Sequence, residues 1–388
     1  MALSFRCLLR GLSRPVVRNN STIAETAQVL DEPIQTFRTI ENNPINHTND
    51  HINRFYTMPP AVADKLFRYG GLPKRYVAQV TTFMENAILV REPALEIISY
   101  LQHADYTKPA NRYVLYGEIG VGKSVTLMHI LHYGLESKRI IVHVPWVRNW
   151  FRRAKEVAPS QSKEGFYDIP VDAAAWLIHF KHQNASLLSE LDLKLSKDYV
   201  WNAREKNPAG SSLVQLLDFG MARPKYACDI IDGLANELKI ASTAGKCNTL
   251  VVIDGFNSFF GNDTRIKGSD FKLVPPSQVT ITQPFINLTK YDWCNSAIVL
   301  TVDEFAVSLK DHHQSIFPRF LLGKEGFEHL DPFLPVEVPN YSQDEFETVM
   351  EYYKERKWVR NISKEGQREL ELLSNRNPYK LMRYTASL

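Results

Sequence analysis

At 388 residues, with 44% hydrophobic and 23% charged content, the chain has the composition of an ordinary globular protein with room for one large core and a smaller second unit, which excludes a wholly disordered chain. No run reaches the roughly 18 uncharged apolar residues that a spanning helix needs, so no membrane span is expected, and four scattered cysteines without a C-x-x-C pair argue against a disulfide framework or a zinc site. A formal net charge of +3 excludes the global basic field of a protein that coats nucleic acid.

In chain order, residues 1–24 come first. Arg6, Arg10, Arg14 and Arg18 recur every fourth position, Leu3, Phe5, Leu8, Leu9 and Leu12 supply apolar surface, and no acid precedes Glu25. An acid-free, arginine-rich amphipathic segment predicts a mitochondrial transit peptide and a matrix location. Without those arginines the remaining body carries −1, so no DNA partner is expected and any RNA contact should be local. The candidate patch for RNA is 351–388, where nine Lys/Arg face five acids with Tyr352, Tyr353, Trp358, Tyr379 and Tyr384 interleaved.

Residues 25–55 are polar and read as an extended arm. A helical lead-in follows, with Ala61 to Tyr69, Lys74 to Glu85 and a third segment opening at Pro93. Four β-branched runs, Arg112 to Tyr116, Ile140 to Val144, Thr249 to Ile253 and Ala297 to Val302, are apolar at both alternating positions, as parallel strands buried on both faces are. A weaker fifth, Phe333 to Val338, contains Pro335. Residues 146–240, with Trp146, Trp150, Trp176 and Trp201, read as a helical insertion, and the Ser342/Glu345 capping box opens a helix to about Trp358, followed by another over 364–374. The predicted fold is α/β: a P-loop NTPase-type parallel sheet flanked by helices over 56–340, with a helical insertion (146–240) and a C-terminal helical lid over 341–388.

The chemistry centres on Gly117-Glu118-Ile119-Gly120-Val121-Gly122-Lys123-Ser124, followed by Val125, which matches G-x-x-x-x-G-K-[ST] between a strand and a helix. Glycines let consecutive N–H groups point at phosphates, Lys123 reaches the β and γ oxygens, and Ser124 offers its hydroxyl to Mg²⁺. Asp254 ends the strand Thr249 to Ile253, where it can hold the water shell of the same ion. Gly255 follows it in place of a water-orienting acid, so the expectation is no enzyme, or at most a slow GTPase. Thr301, Asp303 and Glu304 could sense the γ-phosphate. No N-K-x-D guanine reader follows a strand; Thr289-Lys290-Tyr291-Asp292 is a distant echo that precedes one, and Arg319 is a conceivable phosphate-reaching arginine.

These residues resemble the death-associated protein 3 family, through the phosphate loop, Gly71 to Arg75, Met84 to Leu101, Val251 to Asn257 and Asn377-Pro378. The resemblance covers roughly 55–388. It implies a constituent of the mitochondrial small ribosomal subunit that holds GTP or GDP with Mg²⁺, has small-subunit proteins and rRNA as neighbours, contacts the large subunit, and has a link to apoptosis. The alternative is an AAA-like or signal-transducing mitochondrial ATPase switch, which shares the layout of five strands and a lid and is told apart by Gly255. Deleting residues 1–24 should leave the protein in the cytosol of cells that express it; equal recovery of the truncated protein inside protease-protected mitochondria would refute the transit-peptide reading.

Overall fold

The computed structural model describes residues 37–307 and 315–386, so the amphipathic segment 1–24 and the first part of the expected arm lie outside the described residues. Two short strands, β1 (Phe55–Thr57) and β2 (Ala87–Leu89), pair antiparallel. The central sheet comprises β3 (Asn111–Tyr116), β4 (Ile140–Val144), β9 (Thr249–Ile253), β10 (Ser296–Thr301) and β11 (Leu334–Glu337), and two-residue antiparallel pairs, β5 (Ala158–Pro159) with β6 (Tyr167–Asp168) and β7 (Tyr199–Val200) with β8 (Lys206–Asn207), lie between. Among the described residues the central sheet is five-stranded, all parallel, in the order β11-β3-β10-β9-β4. Pro335 is tolerated because β11 is an edge strand that pairs only with β3, so its missing N–H is not needed by a second neighbour.

The continuous apolar runs divide cleanly by the two-residue period of a strand. Val114, Val142, Val251, Ile253, Ile298 and Leu300 enter one core with helices α5 (Arg148–Arg152), α6 (Pro170–Leu191), α7 (Leu213–Ala222), α8 (Ala227–Thr243), α9 (Thr282–Leu288) and α10 (Pro318–Leu330). Tyr113, Leu115, Ile141, Leu250, Val252 and Val299 enter the other with α1 (Pro60–Phe67), α3 (Glu92–His103) and α4 (Lys123–Glu136). The long insertion is therefore one wall of the sheet, built by tryptophans such as Trp150 and Trp176, which pack on Phe285.

The lid consists of α11 (Gln343–Glu355), α12 (Lys364–Ser374) and α13 (Pro378–Thr385). Its Ser342/Glu345 capping box forms as expected, while α11 stops at Glu355 rather than Trp358. The lid shares a third core with Phe55, Phe83, Ala87 and Leu89, the last two from β2 and Phe83 from α2 (Lys74–Phe83). Residues 37–55 thus differ from the extended arm read from their polarity: Phe55 and His47 are buried, and Arg38 donates to Glu85 (2.7 Å) and Glu355 (2.6 Å). Burial alone would raise the Glu85 carboxyl, but hydrogen bonds from Arg38 and Thr57 and the charges of Arg38 and Arg356 hold it below its ordinary value. Three-residue strands are too short to show a period, which is why β1 and β2 are not legible in sequence.

Buried histidines pin these layers together. His47 Nδ1 lies 2.9 Å from His129 Nε2 on α4, and His179 Nε2 on α6 lies 3.2 Å from His143 Nδ1 on β4. Burial disfavours their charged forms: His129 and His143 fall well below the ordinary imidazole value, and His132 and His179 are pushed down to about 4. Because the folded pKa lies below the unfolded one, the unfolded chain binds more protons between about 4 and 6.5, so stability is full above 6.5 and is lost as pH falls. Each of His132 and His179 should cost up to about 2 kcal/mol at pH 5, and the urea midpoint should fall between pH 7 and pH 5. An equal or higher midpoint at pH 5 would show that these imidazoles titrate without penalty.

Candidate functional site

The phosphate loop joins β3 to α4, as its spacing requires. Gly117, Gly120 and Gly122 all take positive φ, and Gly122 caps α4 without a side-chain hydrogen bond, which leaves the orphan N–H groups of the first turn directed at the loop's concavity. Such an N-terminus also carries the positive end of the helix dipole. A backbone of this form can receive an anion.

Three side-chain contacts join the sequence-predicted residues. Ser124 Oγ donates to Asp254 Oδ2 (2.6 Å), and Thr301 Oγ1, from the strand between the other two, donates to Asp254 Oδ1 (2.5 Å). Lys123 Nζ donates to Gly117 O (2.8 Å) and Glu118 O (2.9 Å) and pairs with Asp303 Oδ2 at 2.9 Å, with Lys123 5% exposed. Burial raises the Asp254 carboxyl to about 6; the Asp303 charge adds to the rise, and the Ser124 and Thr301 hydrogen bonds and Lys123 oppose it. A hydroxyl and one carboxylate, both hard oxygen donors, fit Mg²⁺, which keeps several waters and takes its remaining ligands from phosphates.

Gly255 has φ +75° and donates its N–H to Thr301 Oγ1 (2.8 Å). A Cβ there would lie 2.9 Å from Trp146 Cζ3. The indole thus occupies the space that a water-orienting acid after Asp254 would need. Trp146 was placed in the insertion by sequence, but nothing in its pattern points to this contact.

Beside the loop opens a cavity of about 240 Å³, lined in part by Arg75, Gln79, Arg91, Tyr341 and Tyr379 and floored by Gly120 and Gly122 to Thr126. It lies between the lead-in, the lid and the loop. The sequence reading gave no role at this site to Arg91 or Asn377, which it used only for the family resemblance, to Tyr379, which it placed in the RNA patch, or to Asn340, which it did not single out. Arg91 is buried, donating to Glu345 (2.8 Å) and Val121 O (2.8 Å); Asn377-Pro378 is an N-cap followed by a first-turn proline, a legible signal for α13.

Other expected positions stand apart from the loop. Thr289 to Asp292 precede β10, at the sheet edge opposite the loop, and Asp292 pairs with Lys239. Arg319 is exposed on α10. Of the aromatics interleaved in 351–388, Tyr352 and Tyr353 are buried in the lid core and Trp358 packs against it, so these three serve packing rather than an RNA-stacking face.

A family model described as mitochondrial ribosomal death-associated protein 3 matches residues 88–384. The chain belongs to this family. The match includes the phosphate loop, Asp254, Trp146 and the lid, whereas β1 and the segment before it precede the matched span. Among relatives, small ribosomal subunit protein mS29 of Mus musculus is 36% identical over 386 residues, covering 99% of this chain and 96% of its own. The mS29 protein of Bos taurus is 38% identical over 354 residues, 90% and 88% of the two chains. A Walker-type ATPase of Pyrococcus abyssi superposes with a TM-score of 0.38 at 15% identity over 76% of this chain and 65% of its own, and the ADP form of the Aeropyrum pernix ORC2 protein with 0.36 at 15%, over 79% and 65%.

Among the described residues no helix is long and apolar enough to cross a membrane. Replacing Gly255 with Ala forces a side chain into the left-handed region, worth about 1–2 kcal/mol, and onto the Trp146 ring. Urea denaturation should show a total loss of about 1–3 kcal/mol. A loss below a few tenths would mean that the turn rearranges freely and that Trp146 does not fill the position.

Proposed function

We propose that the protein is a constituent of the mitochondrial small ribosomal subunit that carries a guanine nucleotide with Mg²⁺ as a bound structural ligand and turns it over slowly or not at all. The ribosomal part is supported by family membership and by mS29 relatives that align along nearly the whole chain. The observation that carries the nucleotide part is the Ser124–Asp254 hydrogen bond between the phosphate-loop helix and the neighbouring strand end, with Lys123 held beside it. In this reading Gly117 to Val125 wrap the phosphates, Lys123 moves from its carbonyl partners onto the β and γ oxygens, and Ser124 and Asp254 hold the ion. Guanine is taken from the family resemblance.

Slow turnover follows from Trp146 over Gly255. Cradled phosphates give tight binding, but ground-state contacts do not lower a barrier, and the residue that follows Asp254 is Gly255 rather than an acid that could place water in line, while the nearby Asp303 is paired with Lys123. The partners in this reading are small-subunit proteins and rRNA, with a large-subunit contact, and the near-neutral charge of the body favours packed protein interfaces over phosphate contacts.

Nucleotide released by denaturing the purified protein should be GDP or GTP, and Lys123→Ala should weaken its binding at least tenfold, about 1.4 kcal/mol. Single-turnover hydrolysis of radiolabelled GTP should run well below about 0.01 per second. A rate near 1 per second that vanished in Lys123→Ala, or release of adenine nucleotide alone, would favour an ATPase-like switch. In a sucrose gradient of mitochondrial lysate the protein should travel with the small subunit through moderate salt; sedimentation as a free protein at low salt would overturn the ribosomal assignment.

A further inference from the structure

The outer side of the phosphate loop is held residue by residue. At its start, a Cβ on Gly117 would stand 2.4 Å from Val338 O, and Val338 N donates to Tyr116 O (2.8 Å). Asn340 Nδ2 donates to Glu118 Oε2 (3.3 Å), Asn377 Nδ2 to Ile119 O (3.0 Å) and to Asn340 Oδ1 (3.0 Å), and Tyr379 N to Gly120 O (3.1 Å). Arg91 Nη1 donates to Val121 O (2.8 Å), while Glu345 and the Pro339 carbonyl hold its other nitrogens. The fit leaves no slack at Gly120, where a Cβ would meet Tyr379 Cβ at 2.6 Å and Asn377 Oδ1 at 2.8 Å.

These contacts act on peptide orientation. An anion nest needs successive N–H groups turned inward, and a loop without regular structure has no ladder to stop its peptide planes from flipping. Here three consecutive carbonyls, of Ile119, Gly120 and Val121, are tied outward by donors from α13 and from Arg91. We propose that α13 and Arg91 form a clasp that fixes the phosphate loop in its anion-binding form, so that docking of the C-terminal helices and nucleotide occupancy stabilise each other. The inference rests on the nucleotide-binding reading above. Asn377 and Arg91 are positioning residues: they touch the loop, and the loop touches the ligand. Coupling of this kind is reciprocal. A clasp that raises nucleotide affinity must itself be tightened by nucleotide, which a purely structural lid contact would not be.

Asn377→Asp separates the two roles of this side chain. It keeps the oxygen that caps α13 by accepting from Lys380 N (3.2 Å), and it replaces the amide donor with an oxygen that repels Ile119 O and Asn340 Oδ1. The full chain is used, with GDP and Mg²⁺ as the probe. Hydrogen exchange over 378–385 in the unsubstituted protein should slow when GDP is added. In Asn377→Asp the GDP dissociation constant should rise at least tenfold and that slowing should disappear. Asn377→Ser, which keeps a side-chain oxygen suited to an N-cap and loses the amide donated to Ile119 O without adding charge, should act in the same direction if Asn377→Asp does not fold. Normal GDP binding by the parent protein together with equal affinity in either folded variant, or with exchange over 378–385 indifferent to GDP, would overturn the clasp alone. Failure of the parent protein to bind GDP, GTP or ATP would overturn both the clasp and the reading on which it rests.

Discussion

A carboxylate buried at the edge of a parallel sheet is the constraint around which the site is organised. Taken out of water, Asp254 must find donors or give up its charge. It finds two hydroxyls, from the first turn of α4 and from the end of β10. The nearby Asp303 pushes the wrong way, and its charge is matched by Lys123. The strand order makes this possible: β10 lies between β3 and β9, so the strand carrying Thr301 and Asp303 is set between the strand that launches the phosphate loop and the strand that delivers Asp254. Loop lysine, serine and two strand ends are one electrostatic unit, and none of its members can be moved without stranding another.

Much of this was legible because it is local. The phosphate loop is a contiguous motif whose spacing reflects the size of a phosphate, and the four central strands announce themselves by apolar residues at both alternating positions. Thr301 and Asp303 could be listed as candidates since they end a strand on the same edge. What sequence could not supply was contact between distant segments: that Trp146 covers Gly255, that His47 reaches His129, or that Glu85 gathers Arg38 and Arg356 from opposite ends of the described chain. The polar composition of residues 37–55 suggested an exposed arm because a few buried anchors, Phe55 and His47 among them, are outvoted by asparagines in any average. The final helix is a different case, since Asn377-Pro378 carried a start signal that only its shortness obscured.

The lid shows how one amphipathic unit divides its labour. Its inner surface, with Phe346, Val349, Met350, Tyr352 and Leu381, completes a core begun by β2 and the end of α2. The capping box of α11 also serves the site, because Glu345 both closes its own helix and grips the buried Arg91. Outward, Leu372 is 81% exposed and Leu373 55% exposed on α12.

The third core has a consequence for how the molecule comes into being. Phe55 and the ion pairs of Arg38 lie near the beginning of the described chain, while Phe346 to Leu381 lie near its end, and neither group has a complete apolar environment without the other. A polypeptide delivered from its N-terminus, through a ribosome tunnel or a translocation pore, would hold Phe55 uncovered until the segment from Phe346 onward arrives. The central sheet waits as well, because β3 pairs with β10 and β11, and β4 with β9, all far along the chain, and closure around the loop comes last. Until that moment the chain presents unburied aromatic surface, the kind of surface that chaperones retain.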